Sequence, residues 1–183
     1  MCRYAFKTYK SHFACFNCRK TFKQAPYSDL LQRIGRAAYY EKLKRKPIKQ
    51  LNDGEIVALT NFDKNYKDRE IKCPQCGSYM ADLGLDFKSP KKTALKEWKI
   101  IEGLYTIDRS FYSCGCNGIG YIPKKPQDYH IYLKTLLRDY ENSIAYYQNK
   151  TIEEYKDKAE RIKYWIDQIQ VVKAELSRQQ LSV

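Results

Sequence analysis

Histidine is nearly absent from this chain: His12 and His130 are the only two in 183 residues. No H-E-x-x-H occurs, and neither does a G-x-x-x-x-G-K-[ST] phosphate loop or a G-x-S-x-G nucleophile elbow. The H-x-E and P-C-x-x-C pair of a zinc deaminase is missing as well. Asp82 and Asp86 form a nearby carboxylate pair, but such acids are far more often solvated or structural than catalytic. The expectation is a protein that is not an enzyme. No run of 18 apolar residues occurs, so no membrane-spanning helix is expected. The opening MCRYAFKTYKSHF has no apolar signal core, which predicts a cytoplasmic protein whose thiols stay reduced. Acid is wholly missing from residues 4–24.

Against those absences stand seven cysteines, which in a reducing compartment point to metal rather than to disulfides. The hydrophobic fraction of 43% supports a modest core. Tyrosine dominates the aromatics, 17 against seven Phe and two Trp, and suits half-buried surfaces where the ring packs and the hydroxyl stays wet. The net charge of +13 is unevenly spread. Residues 1–126 hold 25 Lys/Arg against 12 Asp/Glu, and residues 127–183 hold nine of each. That asymmetry predicts a basic domain over 1–126, a neutral one over 127–183, and a polyanion as partner of the first.

The predicted fold class is α+β: a small zinc-ribbon β domain with an inserted helix, then an antiparallel C-terminal helical hairpin. Residues 4–24 read as two short strands around a turn. Residues 28–45 read as one helix capped by Ser28, with Leu30, Leu31, Ile34, Ala37 and Ala38 on one face and Pro47 stopping it. Residues 47–69 read as an irregular connection with a short helix near Ile56–Leu59. Ser89, Pro90 and Gly103 predict a short helix ending before Gly103. In the hairpin, one helix carries Tyr129, Leu133, Leu136, Tyr140, Ile144 and Tyr147. The other carries Tyr155, Ala159, Ile162, Ile166, Ile169, Val172 and Leu176, and Thr151 to Glu154 forms a capping box between them.

Chemistry concentrates in two C-x-x-C pairs, Cys15/Cys18 and Cys73/Cys76, separated by 54 residues. Zinc takes four tetrahedral ligands and binds thiolates at about 2.3 Å, so two such turns complete a closed structural site. In CPQCG, Pro and Gly favour the tight turn of a zinc knuckle. Cys114 and Cys116 read as unligated cysteines of a glycine-rich turn; the alternatives are half of a second site, with Cys2, His12 or His130, or replacement of one of the chosen knuckles. Three basic clusters are candidates for phosphate contact. The first is Lys7, Lys10, Arg19, Lys20 and Lys23; the second is Lys42, Lys44, Arg45 and Lys46; the third is Lys88, Lys91, Lys92 and Lys96. The second also suits the negative end of a helix dipole without any ligand. The first and third are expected to converge on one face.

The blocks CRYAFKTYKSHFACFNCRKTFK, CPQCGSYMADLGLDFKSPKK and SCGCNGIGYIP resemble a family of uncharacterised bacterial zinc-ribbon proteins over much of residues 2–126. The resemblance implies that Cys15, Cys18, Cys73 and Cys76 form a shared metal core, and that Lys88, Lys91 and Lys92 belong to a shared surface. In general character the chain is also similar to the zinc-ribbon proteins of ribosomes. The expected function is a structural zinc ribbon that binds RNA, with ribosomal RNA and ribosomal proteins as partners. The alternatives are a DNA-binding or transcription-accessory ribbon, and an adaptor that binds proteins through the hairpin.

Overall fold

The computed structural model describes residues 10–67, 69–109, 122–151 and 153–180. Lys7, Cys2, Cys114 and Cys116 lie outside them. Among the described residues the fold is mixed: a small three-stranded antiparallel sheet and six α-helices. They divide into two compact units, residues 10–89 and residues 90–109 with 122–180. The division falls elsewhere than the charge boundary at 126/127, because residues 90–109 pack with the hairpin.

In the first unit, β1 (Ser11–Cys15) and β2 (Lys20–Gln24) pair antiparallel around the first cysteine turn, with Phe13 opposite Phe22 and Cys15 opposite Lys20. The short strand β3 (Ala81–Asp82) joins the other edge of β1, which makes β1 central, in the order β2-β1-β3. A central strand is covered on both sides, and Phe13, Ala14 and Cys15 are all buried. Asp82 is structural, since it accepts from the Ser11 hydroxyl and from the Gly84 amide at 3.0 Å.

The predicted helix over 28–45 is two helices, α1 (Tyr27–Arg33) and α2 (Ala37–Arg45). The chain turns at Gly35 (φ 66), where Gly35 N–H donates to Gln32 O and Arg36 N–H to Leu31 O, the Schellman closure of a helix. Ser28 therefore lies inside α1 and does not cap it. Ile34 is 54% exposed, while Leu31, Tyr40 and Leu43 supply the buried face. The connection expected over 47–69 contains α3 (Asp53–Lys67), a full helix. Its first turn is closed reciprocally by Asn52 Oδ1 to Glu55 N–H at 2.9 Å and Asn52 N–H to Glu55 Oε2 at 3.1 Å, a capping box. Edge-on rings join the insertion: Tyr27 to Phe62 at 4.8 Å and to Tyr66 at 5.3 Å, with Tyr40 against Phe62 at 4.9 Å. Arg69 ties it to the sheet, lying 4.1 Å over Tyr66 and 5.7 Å from the Phe13 ring centre and donating to Ala25 O at 3.3 Å.

The second unit packs α4 (Leu95–Thr106), α5 (Pro126–Gln148) and α6 (Lys158–Gln180). Gly103 does not follow α4 but sits inside it, buried, where a Cβ would overlap Glu175 Oε1 and the Tyr129 hydroxyl. The helix ends instead with Asp108 in the left-handed region (φ 57), Asp108 N–H donating to Tyr105 O and Arg109 N–H to Leu104 O. Tyr129, Leu133, Leu136 and Tyr140 form the buried stripe of α5. On α6 the seam runs through Ile162, Trp165, Ile169, Val172 and Leu176, in steps of three and four. Ile166 is 43% exposed and Ala159 is exposed, because Trp165 takes the inner position against Tyr140 at 5.0 Å. The Thr151/Glu154 capping box forms, with bonds of 2.9 and 3.3 Å, at the turn ahead of α6. Glu175 is 1% exposed and fully engaged, accepting from Tyr129 OH at 3.1 Å, Arg178 Nε at 2.7 Å and Gln179 Nε2 at 2.7 Å.

Candidate metal centre

Each cysteine pair sits at the tip of a hairpin. In the first, β1 runs into Cys15, and Cys18 N–H points at Cys15 Sγ at 3.4 Å. In the second, Lys72 bridges Tyr79, Cys73 N–H donates to Ser78 O at 2.8 Å and Gly77 N–H to Cys73 O at 2.9 Å. Gly77 has φ 73, a backbone that costs a side chain but not glycine. Because β3 follows directly from the second hairpin and pairs with β1, the sheet brings the two tips together.

The sulfurs of Cys15, Cys18, Cys73 and Cys76 all lie within 4.8 Å of one another, and Cys15 Sγ is 3.5 Å from Cys76 Sγ. A tetrahedron of thiolates at the zinc–sulfur distance has edges of about 3.8 Å, so the four fit one metal ion with no fifth position. Phe13, Met80, Phe22 and Ile71 pack around them, which makes the cluster part of a small hydrophobic core at this end of the sheet. Cys15 and Cys73 are buried, Cys18 is half-buried and Cys76 is exposed.

The thiols differ in acidity. The Ser78 hydroxyl, 3.4 Å from Cys76 Sγ, and the Ser78 amide stabilise negative charge there and bring Cys76 down to about 6. Hydrogen bonding to Cys76 pushes Cys18 up to about 12, and burial raises Cys15. Cys15, Cys18, Cys73 and Cys76 would hold a divalent cation as thiolates, so its binding would displace the remaining thiol protons.

Several basic side chains of the three sequence clusters are engaged within the chain. Lys10 lies 4.0 Å from Asp29, and Arg19 takes the left-handed turn position after Cys18 (φ 52). Lys20 and Lys23 are exposed on β2, three residues apart, so the pleat sends them to opposite faces. In the second cluster Lys42 is exposed, Lys44 Nζ rests 4.0 Å over Tyr27, Arg45 faces Glu41 at 3.8 Å, and Lys46 binds Glu55 at 2.7 Å. In the third, Lys88 belongs to the first unit, and Lys91, Lys92 and Lys96 lie in the second, at and before the start of α4. All four are exposed. His12 is engaged away from the sulfurs, with Nδ1 3.2 Å from Gly84 O.

The sequence alone does not mark Ser78, whose hydroxyl lies 3.4 Å from Cys76 Sγ, as part of the cysteine cluster. Tyr79 is 62% exposed beside the second knuckle, with Lys72 Nζ 5.5 Å from its ring centre. The one available signal was CPQCGS, in which the Gly that turns the chain also returns the next hydroxyl toward the cysteine. What the structure adds to the resemblance is a four-cysteine cluster suited to a metal ion. Comparison with protein-family models, with curated proteins and with solved structures gives no match, so the functional reading rests on the geometry of the chain itself.

Proposed function

We propose that the protein is a structural zinc ribbon that binds RNA in the cytoplasm, as a companion of the ribosome. The observation that carries this reading is the closed four-thiol cluster at the meeting of two knuckles. An all-thiolate tetrahedral donor set favours zinc over harder cations, and it leaves no open position for chemistry. A metal held this way supports a surface, so function falls to what that surface carries. Residues 1–126 hold the whole excess of positive charge, which favours a polyanion. Exposed Tyr79 beside Lys72 offers the ring and the cation that single-stranded RNA uses.

The test is co-sedimentation of the tagged full chain with ribosomes, with and without ribonuclease, followed by salt titration of the purified protein with a single-stranded RNA. Each lost phosphate contact is expected to flatten the log–log salt slope by about 0.7. Replacing Lys91 and Lys92 with alanine should weaken binding across sequences and flatten the slope. Unchanged affinity and slope would remove these lysines from the interface. A second reading, a protein adaptor, is favoured by the exposed Tyr146 and Tyr164 on the hairpin. Association that survives both ribonuclease and high salt would select it.

A further inference from the structure

The four sulfurs are not equally sheltered. Cys15 is 0% exposed and Cys73 3% exposed, packed with Phe13 and Met80. Cys18 is half-buried, and Cys76 stands exposed at the tip of its hairpin. An oxidant arriving from solvent therefore meets Cys76 first. Zinc binding keeps a sulfur in the thiolate form that attacks peroxides. The Ser78 hydroxyl lies 3.4 Å from Cys76 Sγ, where it accepts from the thiol and turns to donate once the sulfur is ionised. Cys15 Sγ, in the opposite knuckle, waits 3.5 Å away.

We propose that Cys76 is a modification site through which hydroperoxides open the metal centre, with Cys15 as the resolving thiol. This rests on the zinc reading above. The Cys76 thiolate attacks the peroxide: an S–O bond forms, the O–O bond breaks, sulfur loses two electrons to the peroxide, and the departing alkoxide or hydroxide takes a proton from water. The Cys15 thiolate then attacks the Cys76 sulfenic sulfur. An S–S bond forms, the S–O bond breaks, and hydroxide leaves and is protonated. Two thiolates, one hydroperoxide and two protons thus become one disulfide, one alcohol (or water) and one water. Only Cys18 and Cys73 still face the ion, and half a ligand set does not retain it. Oxidation therefore unpins the two knuckles from each other, and any surface they support is lost with them.

The experiment uses the full chain, first assayed for metal by native mass spectrometry. A chain that carries no zinc defeats the zinc reading, and this proposal with it. The zinc-loaded protein is then titrated with hydrogen peroxide while a chromogenic chelator reads released zinc and peptide mapping locates the first disulfide. About one zinc is expected per disulfide, with Cys15–Cys76 the first crosslink. A first disulfide within one knuckle, or one involving Cys2, Cys114 or Cys116, overturns the proposal. Cys76→His keeps four ligands, since zinc accepts three thiolates and one imidazole. It should hold zinc against peroxide, while Cys18→His should release it as the unaltered chain does. Equal release from both variants overturns Cys76 as the entry point.

Discussion

Arg19 and Gly77 hold the same place in the two knuckles: each directly follows the second cysteine of its C-x-x-C, and each has left-handed backbone, φ 52 and φ 73. One knuckle uses the residue the turn favours, and the other forces an L side chain into it. A Cβ on Gly77 would meet nothing within 4 Å, so its only penalty is conformational. Gly77→Ala is expected to cost about 1–2 kcal/mol, the price of a left-handed backbone for an L-residue. Arg19→Gly should gain no more than about 1 kcal/mol, because glycine also gains freedom in the unfolded chain. Denaturant midpoints of the metal-loaded proteins check both signs.

Metal loading should be tied to protons. Ser78 holds Cys76 near 6, so that thiol is largely ionised at neutral pH, whereas Cys18 at about 12 and the raised Cys15 keep theirs. Zinc must displace those protons, and its affinity is expected to rise with pH. Proton release on adding zinc in weak buffer is the direct measurement. For the metal-free chain the signs oppose. The Cys76 contribution is full above its ordinary 9.0 and is lost as pH falls through about 6. The Cys18 contribution is full below 9.0 and is lost as pH rises toward about 12. The metal-free fold should therefore weaken on both sides of about pH 9, as followed by denaturant midpoint against pH.

Gly103→Ala should destabilise the three-helix unit by about 2–3 kcal/mol through overpacking. The added methyl would press on Glu175 and Tyr129, which are 1% and 0% exposed and hydrogen-bonded to each other at 3.1 Å. Burial raises the pKa of the Tyr129 hydroxyl well above its ordinary 10.0, so it stays a donor and does not leave the bond by ionising. Thermal melting reads the loss. Zinc content should not change, because the cysteines lie in the other unit.

Asn52→Ala should cost about 1 kcal/mol by removing the N-cap of α3. Glu55→Gln should lose the charge-assisted bond from Lys46 at 2.7 Å. That bond lowers the Glu55 carboxyl below its ordinary 4.5, so its stabilisation is present above that value and is lost as pH falls through the lowered one. The difference between the unaltered chain and Glu55→Gln should thus shrink in acid, measured by denaturant midpoints from neutral pH downward.

Two capping boxes of the same form show what was readable and what was not. Thr151 to Glu154 stands between two periodic stripes and reads as a cap from sequence, whereas Asn52 to Glu55 carries the same signal inside a stretch that reads as an irregular connection with a short helix near Ile56–Leu59. The reason is α3 itself: DGEIVALTNFDKNYK offers a weak apolar stripe, and what it lays against the other helices is largely aromatic, Phe62 and Tyr66. The break at Gly35 was equally local, but the apolar spacing of Leu31, Ile34 and Ala38 ran straight through it.

The sequence by itself determined the features made by residues near one another along the chain. These are the two C-x-x-C turns, the strands around the first, the stop at Pro47, the capping box at Thr151, and the phase of α5 from Tyr129 to Tyr140. Each depends on one hydrogen bond, one fixed dihedral or one helical period. The tertiary structure alone decided matters that need a partner distant in sequence. Gly103 is a packing surface and not a stop signal, because Tyr129 and Glu175 reach it from two other helices. Trp165 and not Ile166 lines the seam of α6, because Tyr140 is there to meet it. Cys76 and not Cys15 is the accessible sulfur, because β1 is the central strand and carries Cys15 into the core. Periodicity gives the face a helix can bury, and the neighbour packed against it sets which residue that face presents.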